Sequence, residues 1–388
     1  MQMLLFKECE VFAPQPLGVM DVLCGGGRIL AMADRLDVPA GFQVKTIQAS
    51  GLKMIPGLID SHVHIAGAGG EGGPATRTPE MPLGMMLEAG VTTVIGCLGT
   101  DGMTRSLQSV LMKVKALRKE GVSAWMYTGA YQVPTPTMLG DVGKDIAMID
   151  EVIGTGEIAI SDHRSSGPSV HELIRLAAHS RVGAMLGGKS GIVNIHMGDA
   201  DDPFSPLYAV VAGSELSLKQ FLPTHCNRNE HIFEEAKTYG LEGYVDLTTS
   251  SYPFFPEDEI KPSTGVVALM AAGVPPEHIT MSSDGCGSLP QFDDQGNLVR
   301  FETGNLKSLF DEFRDMVLRE GLKTELALRP VTSNVADILK LPSKGRVEVG
   351  RDADLVLLDD RMEIVYMTAM GQLMVSESLI LRKGAYEK

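Results

Sequence analysis

Three kinds of signal are scarce in this sequence, and each scarcity narrows the function. Positive charge is outweighed: 34 Lys and Arg stand against 49 Asp and Glu, a formal net charge of −15. That balance argues against a general binder of nucleic acid or of an anionic membrane surface. Anionic small molecules stay open, provided local arginines receive them. The five cysteines (Cys9, Cys24, Cys97, Cys226, Cys286) are odd in number, scattered and without CxxC spacing. Neither a disulfide framework nor a cysteine-zinc site is suggested. No apolar run is long enough to span a bilayer, and Met1 to Phe6 is only briefly apolar, with no basic lead. A soluble protein of the reducing cytoplasm is the expectation. Also missing are internal repeats, low-complexity tracts, charge blocks and a GxGxxG run after the first strand.

What is present suffices for a large fold. With 388 residues, 44% hydrophobic and 21% charged, the chain can bury an ample core as one large domain with a smaller one attached. Residues 1 to about 53 read as short strands broken by turns: Met3–Phe6, Gly18–Leu23, Arg28–Met32 and Gln43–Gln48. The other end looks alike, with short strands expected at Gly345–Val349, Ala353–Leu358, Ile364–Met367 and Gln372–Val375. Residues 1–53 and 342–388 are therefore expected to pair into one small β-sandwich domain.

Over residues 54–341 strands alternate with helices. Helices are expected at Pro79–Ala89, Arg105–Glu120, Lys144–Ile153, Val170–Ser180, Asn229–Tyr239, Pro262–Ala272 and Leu306–Glu320. Strands are expected in the segment before His64 and at Val91–Leu98, Ser123–Thr128, Glu157–Ile160, Gly191–His196, Leu222–His225, Gly243–Thr248 and Ile279–Ser282. Eight such parallel βα units over about 270–280 residues suggest an α/β fold of the closed (β/α)8 TIM-barrel type. A doubly wound open sheet is the alternative.

The stretch Ile55 to His64 runs apolar residues into a His-x-His pair, and the glycine-rich Gly67–Gly73 follows at once. Strand side chains alternate, so His62 and His64 share a face with Cβ atoms about 6.5–7 Å apart. Two imidazoles at that spacing can close on one divalent cation at about 2.0–2.1 Å. Alone, such a pair is more often two polar residues at a strand end. In a barrel, however, catalysis sits at the C-terminal strand ends. There the sequence puts His62, His64, Tyr131, His196, His225 and Asp284, with Glu157 inside the fourth strand. His163, His171, His179, His231 and His278 read as surface or core polar residues. Four histidines and two carboxylates on one rim suit a two-metal hydrolytic site, in which two cations share and activate one hydroxide.

Pro56-Gly57-Leu58-Ile59-Asp60-Ser61-His62-Val63-His64, with His196, His225 and Ser283-Asp284-Gly285 in that order, resembles the amidohydrolase superfamily. Further motifs resemble, more narrowly, its isoaspartyl (β-aspartyl) dipeptidases. They are Gly69-Gly70-Glu71-Gly72-Gly73-Pro74, Gly129-Ala130-Tyr131, Ala159-Ile160-Ser161-Asp162-His163-Arg164, His196-Met197-Gly198-Asp199, Pro223-Thr224-His225 with Asn227-Arg228-Asn229, and Ser282-Ser283-Asp284-Gly285. The resemblance covers nearly the whole chain. It implies a binuclear zinc dipeptidase, with His62, His64 and Asp284 on a buried metal and His196 and His225 on an exposed one. Asp284 would also act as general base toward the bridging hydroxide, and Tyr131 would stabilise the oxyanion. Glu71, Arg164, Arg228 and Ser288, with backbone at Gly69 and Thr100, would hold the charged groups of a β-aspartyl dipeptide.

One departure stands out. Where the family's familiar members bridge two metals with a carboxylated lysine, this chain has Glu157; Lys144 and Lys189 are poor substitutes by position. A glutamate already owns two oxygens, so Glu157 with a hydroxide is the expected bridge between two Zn²⁺; otherwise the bridge is lost. A cyclic-amide hydrolase of dihydroorotase or hydantoinase type, or a silent scaffold without metals, are the competing readings. The expected partners are a small-molecule substrate and further copies of this chain, not nucleic acid or membrane.

Overall fold

The computed structural model describes residues 3–38, 41, 43–292, 295 and 298–387. Both chain ends build one nine-stranded sheet. Its strands are β1 (Met3–Phe12), β2 (Pro16–Gly25), β3 (Arg28–Ala33), β4 (Val44–Gln48) and β5 (Lys53–Pro56) from the start of the chain. From its end come β16 (Leu355–Leu358), β17 (Ile364–Ala369), β18 (Gln372–Ser376) and β19 (Leu379–Ile380). The two sets meet where β5 pairs antiparallel with β16, Met54 opposite Leu357. β1 alternates exposed and buried residues near its end, as a sheet with one face packed does.

A single residue after β5, Gly57, leads into Leu58, where a different architecture opens. Eight parallel-type strands come in order: β6 (Leu58–Val63), β7 (Val91–Gly96), β8 (Ser123–Thr128), β9 (Val152–Ile160), β10 (Val193–Met197), β11 (Phe221–Thr224), β12 (Val245–Thr248) and β13 (Ile279–Ser282). β6 to β11 form one six-stranded parallel sheet, and β12 with β13 a parallel pair. Between the pair and the sheet run Cys226 N–H to Asp246 O at 3.2 Å and His64 N–H to Gly285 O at 2.9 Å. Nearly every residue of these strands is buried, the pattern of a parallel sheet covered on both faces.

The covering helices include α1 (Leu83–Glu88), α2 (Leu107–Glu120), α3 (Val142–Met148), α4 (Val170–Gly187), α5 (Ser205–Ala212), α6 (Glu230–Tyr239), α7 (Pro262–Ala271) and α8 (Lys307–Leu318). Local chemistry sets several of their limits. Ser169 and Glu172 form a reciprocal capping box that starts α4. Gly121, at φ 101°, ends α2 in the left-handed region that glycine tolerates best.

Two expectations are corrected. Lys144–Ile153 is not one helix: α3 ends at Met148 and β9 starts at Val152. Lys189 Nζ donates to the carbonyls of Ile146 and Ile149 at that stop, and β-branched Val152 and Ile153 favour the strand. Gly345–Val349 is not a strand: Gly345 turns at φ 72°, and Arg346 is tied to Asp337. The sequence also gave no warning of a hairpin after the eighth strand, β14 (Ser288–Phe292) with β15 (Leu298–Thr303).

Candidate active site

The strand ends bring the expected residues together. His62 points inward from β6 and His64 follows just past it, their ring centroids 5.4 Å apart. Glu157, from the middle of β9, enters the centre of the group and divides its oxygens. Oε1 lies 2.7 Å from His196 Nδ1 and 3.1 Å from His225 Nε2, while Oε2 lies 3.3 Å from His62 Nε2 and 3.9 Å from His64 Nε2. Asp284 Oδ1 faces the same His62 and His64 Nε2 atoms at 3.6 and 3.0 Å. One carboxylate thus stands between two histidine pairs.

Two of these residues owe their aim to the backbone. His225 and Asp284 follow their strands at φ 64° and 55°, left-handed conformations that cost non-glycine residues on the order of 1–3 kcal/mol each. They turn the chain at the rim instead of continuing the strand alternation. Asp284 N–H donates to His62 O at 3.1 Å, which fixes that turn. His225 Nδ1 sits 2.7 Å from Thr248 Oγ1, which orients the ring so that Nε2 faces Glu157.

The electrostatics favour a cation in the middle. Although burial opposes it, His62 and His196 hold the Glu157 carboxyl well below the ordinary range. Asp284 is lowered in the same way by His64. Burial also opposes charge on His62 and His64, yet Cys97 together with Glu157 or Asp284 raises both well above the usual imidazole value. His225 goes the other way, down to about 3, through burial and the nearby His196. Buried polar atoms normally have hydrogen-bond partners. Here Glu157 Oε2, Asp284 Oδ1 and both ring nitrogens of His62 have none. His62, His64, Cys97 and Glu157 form one group able to hold a metal ion, and Glu157, His196 and His225 a second. Imidazole and carboxylate donors with unused lone pairs fit a divalent metal.

Around the cluster lies the polar apparatus. The Tyr131 hydroxyl is 2.8 Å from His196 Nδ1, and burial and Glu157 keep its phenol protonated far above the ordinary value. Arg164 and Arg228 converge on Asp162, at 2.9 and 3.4 Å from Oδ2, and on His196 Nε2 at 3.1 and 3.2 Å. Both arginines line a cavity of about 480 Å³ together with His225, Asp284 and Ser288. Gly69 and Glu71 lie in the loop after β6 and Thr100 in the loop after β7, none of them on that lining. Lys144 is exposed on α3 and Lys189 is engaged at the end of that helix, so neither approaches Glu157 as a bridge.

Some participants escaped the sequence reading. Cys97 places Sγ 3.8 Å from His64 Nδ1. A search for CxxC spacing cannot find it, although it sits one residue beyond a strand end as His64 and His225 do. Asp162 falls in the Ala159–Arg164 motif, where its position two residues before Arg164 is the available signal. His163, expected from the sequence to be a surface or core polar residue, lines the cavity. Cys226 is buried with Sγ 3.4 Å from Pro223 O, and Cys286 lies 3.9 Å from Met85 Sδ, so neither joins the cluster.

Comparison with known proteins agrees with this geometry. The amidohydrolase family model matches residues 220–378. A crystal structure of a β-aspartyl dipeptidase from Fervidobacterium islandicum AW-1, in complex with β-Asp-Leu, superposes with a TM-score of 0.92 at 39% identity, covering 97% of each chain. A dihydroorotase of Elusimicrobium minutum is 24% identical over 93% of this chain and 89% of its own length. An adenine deaminase of Rhizobium etli is 25% identical over 89% of this chain, which spans about half (51%) of that relative.

Proposed function

This chain belongs to the amidohydrolase family, and from that premise we propose that it is a binuclear zinc dipeptidase hydrolysing the isopeptide bond of β-aspartyl dipeptides. The observation that carries the reading is a cavity holding Arg164 and Arg228 beside a cluster in which Glu157 stands between two histidine pairs. We further read the eight parallel strands as a closed (β/α)8 barrel, with residues 54–341 as the catalytic domain and 1–53 plus 342–388 as a β-sandwich domain.

His62, His64 and Asp284 would hold one zinc, His196 and His225 the other, with Glu157 sharing its oxygens between them. When bound, such a pair supplies Lewis-acid polarisation of a carbonyl and a water acidic enough to react near neutral pH. The remaining work falls to the chain. Arg164 and Arg228 present planar forks that grip the carboxylates of the dipeptide and fix its orientation. Glu71 is the proposed receptor for its ammonium, with Ser288 and the backbone at Gly69 and Thr100 completing the grip. Tyr131 keeps its proton and donates it as a hydrogen bond to the oxygen that gains charge at the scissile carbonyl. Asp284, an ionised carboxylate at the cavity wall, accepts the proton of the attacking water and delivers it to the departing amine.

A cyclic-amide hydrolase is the second reading, favoured by the dihydroorotase relative. Turnover of β-Asp-Leu beside α-Asp-Leu and dihydroorotate decides. Fastest turnover of β-Asp-Leu is expected, and faster turnover of either competitor overturns the dipeptidase reading. Metal analysis addresses a silent scaffold, which would carry well below one zinc per chain.

A further inference from the structure

Resting on the dipeptidase reading, we propose that Glu259 selects the residue beyond the scissile bond, favouring a cationic side chain there and disfavouring an acidic one. The argument starts from the cavity. Its wall near the metal cluster is His225 and Asp284, and Arg164 and Arg228 supply its full positive charges among the described lining residues. A dipeptide whose carbonyl lies over the first pair and whose carboxylates lie on the second leaves its outer side chain to the remaining wall. That wall comes from the segment after β12, with Ser251, Phe255 and Glu259, and from β14, with Leu289 and Pro290.

Phe255, Leu289 and Pro290 give apolar contact to any aliphatic stem. The charged groups on this part of the lining are acidic: Asp258, which is exposed, and Glu259, which is half-buried. Glu259 is the one whose position is fixed. Ser251 Oγ donates to its Oε2 at 2.7 Å, leaving Oε1 to receive a donor from the cavity. Burial raises this carboxyl to about 7, while Ser251 and the facing Arg228 pull it down and Asp258 and Asp284 push it up. A carboxyl so poised ionises readily when an ammonium or guanidinium enters beside it, whereas a second carboxylate can enter only if Glu259 takes up a proton. A lysine-like side chain suits the wall, since its methylenes cover the apolar residues while its charge reaches Glu259. The competing role is plain neutralisation of Arg228, which would act on every substrate alike.

The test measures kcat/KM of the zinc-loaded protein and of Glu259→Gln for β-Asp-Lys, β-Asp-Leu and β-Asp-Glu. The wild-type protein is expected to prefer β-Asp-Lys over β-Asp-Glu by about tenfold or more, the scale of a charge-assisted hydrogen bond. Glu259→Gln keeps the shape and should shrink that ratio by most of its value. An unchanged ratio overturns the proposal, and so does a parallel fall for all three substrates, which assigns Glu259 to Arg228. If the variant does not fold, the wild-type ratio still decides, because a value of one or less overturns it. A protein that cleaves β-Asp-Leu without a Lys-over-Glu preference sinks this inference alone. One that cleaves none of the three sinks the dipeptidase reading as well.

Discussion

The parallel strands carry a buried charge cluster at each end, and the two are built on opposite rules. At the N-terminal ends, Lys344 is buried with Nζ 2.6 Å from Asp354, 2.8 Å from Asp352 and 2.5 Å from Ser123 Oγ at the start of β8. Arg28, 2.8 Å from Asp352, balances the second carboxylate. Every charge there has a partner supplied by the chain, and the cluster joins the end sheet to the parallel strands. At the C-terminal ends, Glu157 and Asp284 meet four imidazoles, and polar atoms of His62, Glu157 and Asp284 remain without hydrogen bonds. Buried polar groups left unpaired are costly. The first cluster is closed by permanent cations, Lys344 and Arg28; the second is open in the sense that its carboxylates face imidazoles, donors able to take a metal ion between them.

The largest expected effect breaks the open cluster at its centre. Glu157→Ala should lower kcat/KM by about 10³-fold or more, some 4 kcal/mol at about 1.36 kcal/mol per decade. Metal analysis should find the zinc content below two per chain. Retained activity with a full zinc complement would remove Glu157 from the bridge. The matching break at the other end is Lys344→Met. It strands Asp354, while Asp352 keeps Arg28, and losing one partner of a buried ion pair typically costs about 3–5 kcal/mol of stability. Denaturant titration should show that loss, with kcat per folded molecule nearly unchanged. If kcat fell as far as stability, the two ends would not be separable in function. Tyr131→Phe comes next: removing the proposed oxyanion donor should cost about 10²–10³ in kcat, the typical loss for one such donor. KM should move little, so a change confined to KM would make Tyr131 a binding residue.

The two clusters also differ in how far the sequence disclosed them. His62 and His64 were legible because strand alternation is local, and two residues apart on a strand means one face. His196, His225 and Asp284 were legible as polar residues closing apolar strands. Hidden from the sequence were groups whose place depends on partners far along the chain. Asp162 matters because Arg164 and Arg228 both converge on it, and Cys97 because β7 lies beside β6. The Lys344 cluster was invisible for the same reason, since Ser123 is 221 residues from it. The end sheet was readable from its short strands, but Gly345–Val349 failed because apolar composition alone does not report that Gly345 turns.

The smallest expected effect sharpens the comparison most, because it asks whether metal alone completes the open cluster. A carboxylated lysine needs carbon dioxide to become a ligand, so a site bridged that way requires bicarbonate when metal is returned. Glu157 carries both oxygens as translated, already placed toward His196 and His225 on one side and His62 on the other. Lys189, the lysine nearest in sequence to β10, is held by the carbonyls of Ile146 and Ile149, and Lys144 is exposed on α3. Neither is free at the cluster to be modified. Zinc returned to the chelated protein in bicarbonate-free buffer should therefore restore activity to the same level as zinc with bicarbonate. The accompanying rise in thermal stability, expected because metal binds the folded state preferentially, should be equal in both buffers. A marked gain from bicarbonate in either readout would mean that a carbamate completes the site, and the bridge would have to be reassigned from Glu157 to a lysine.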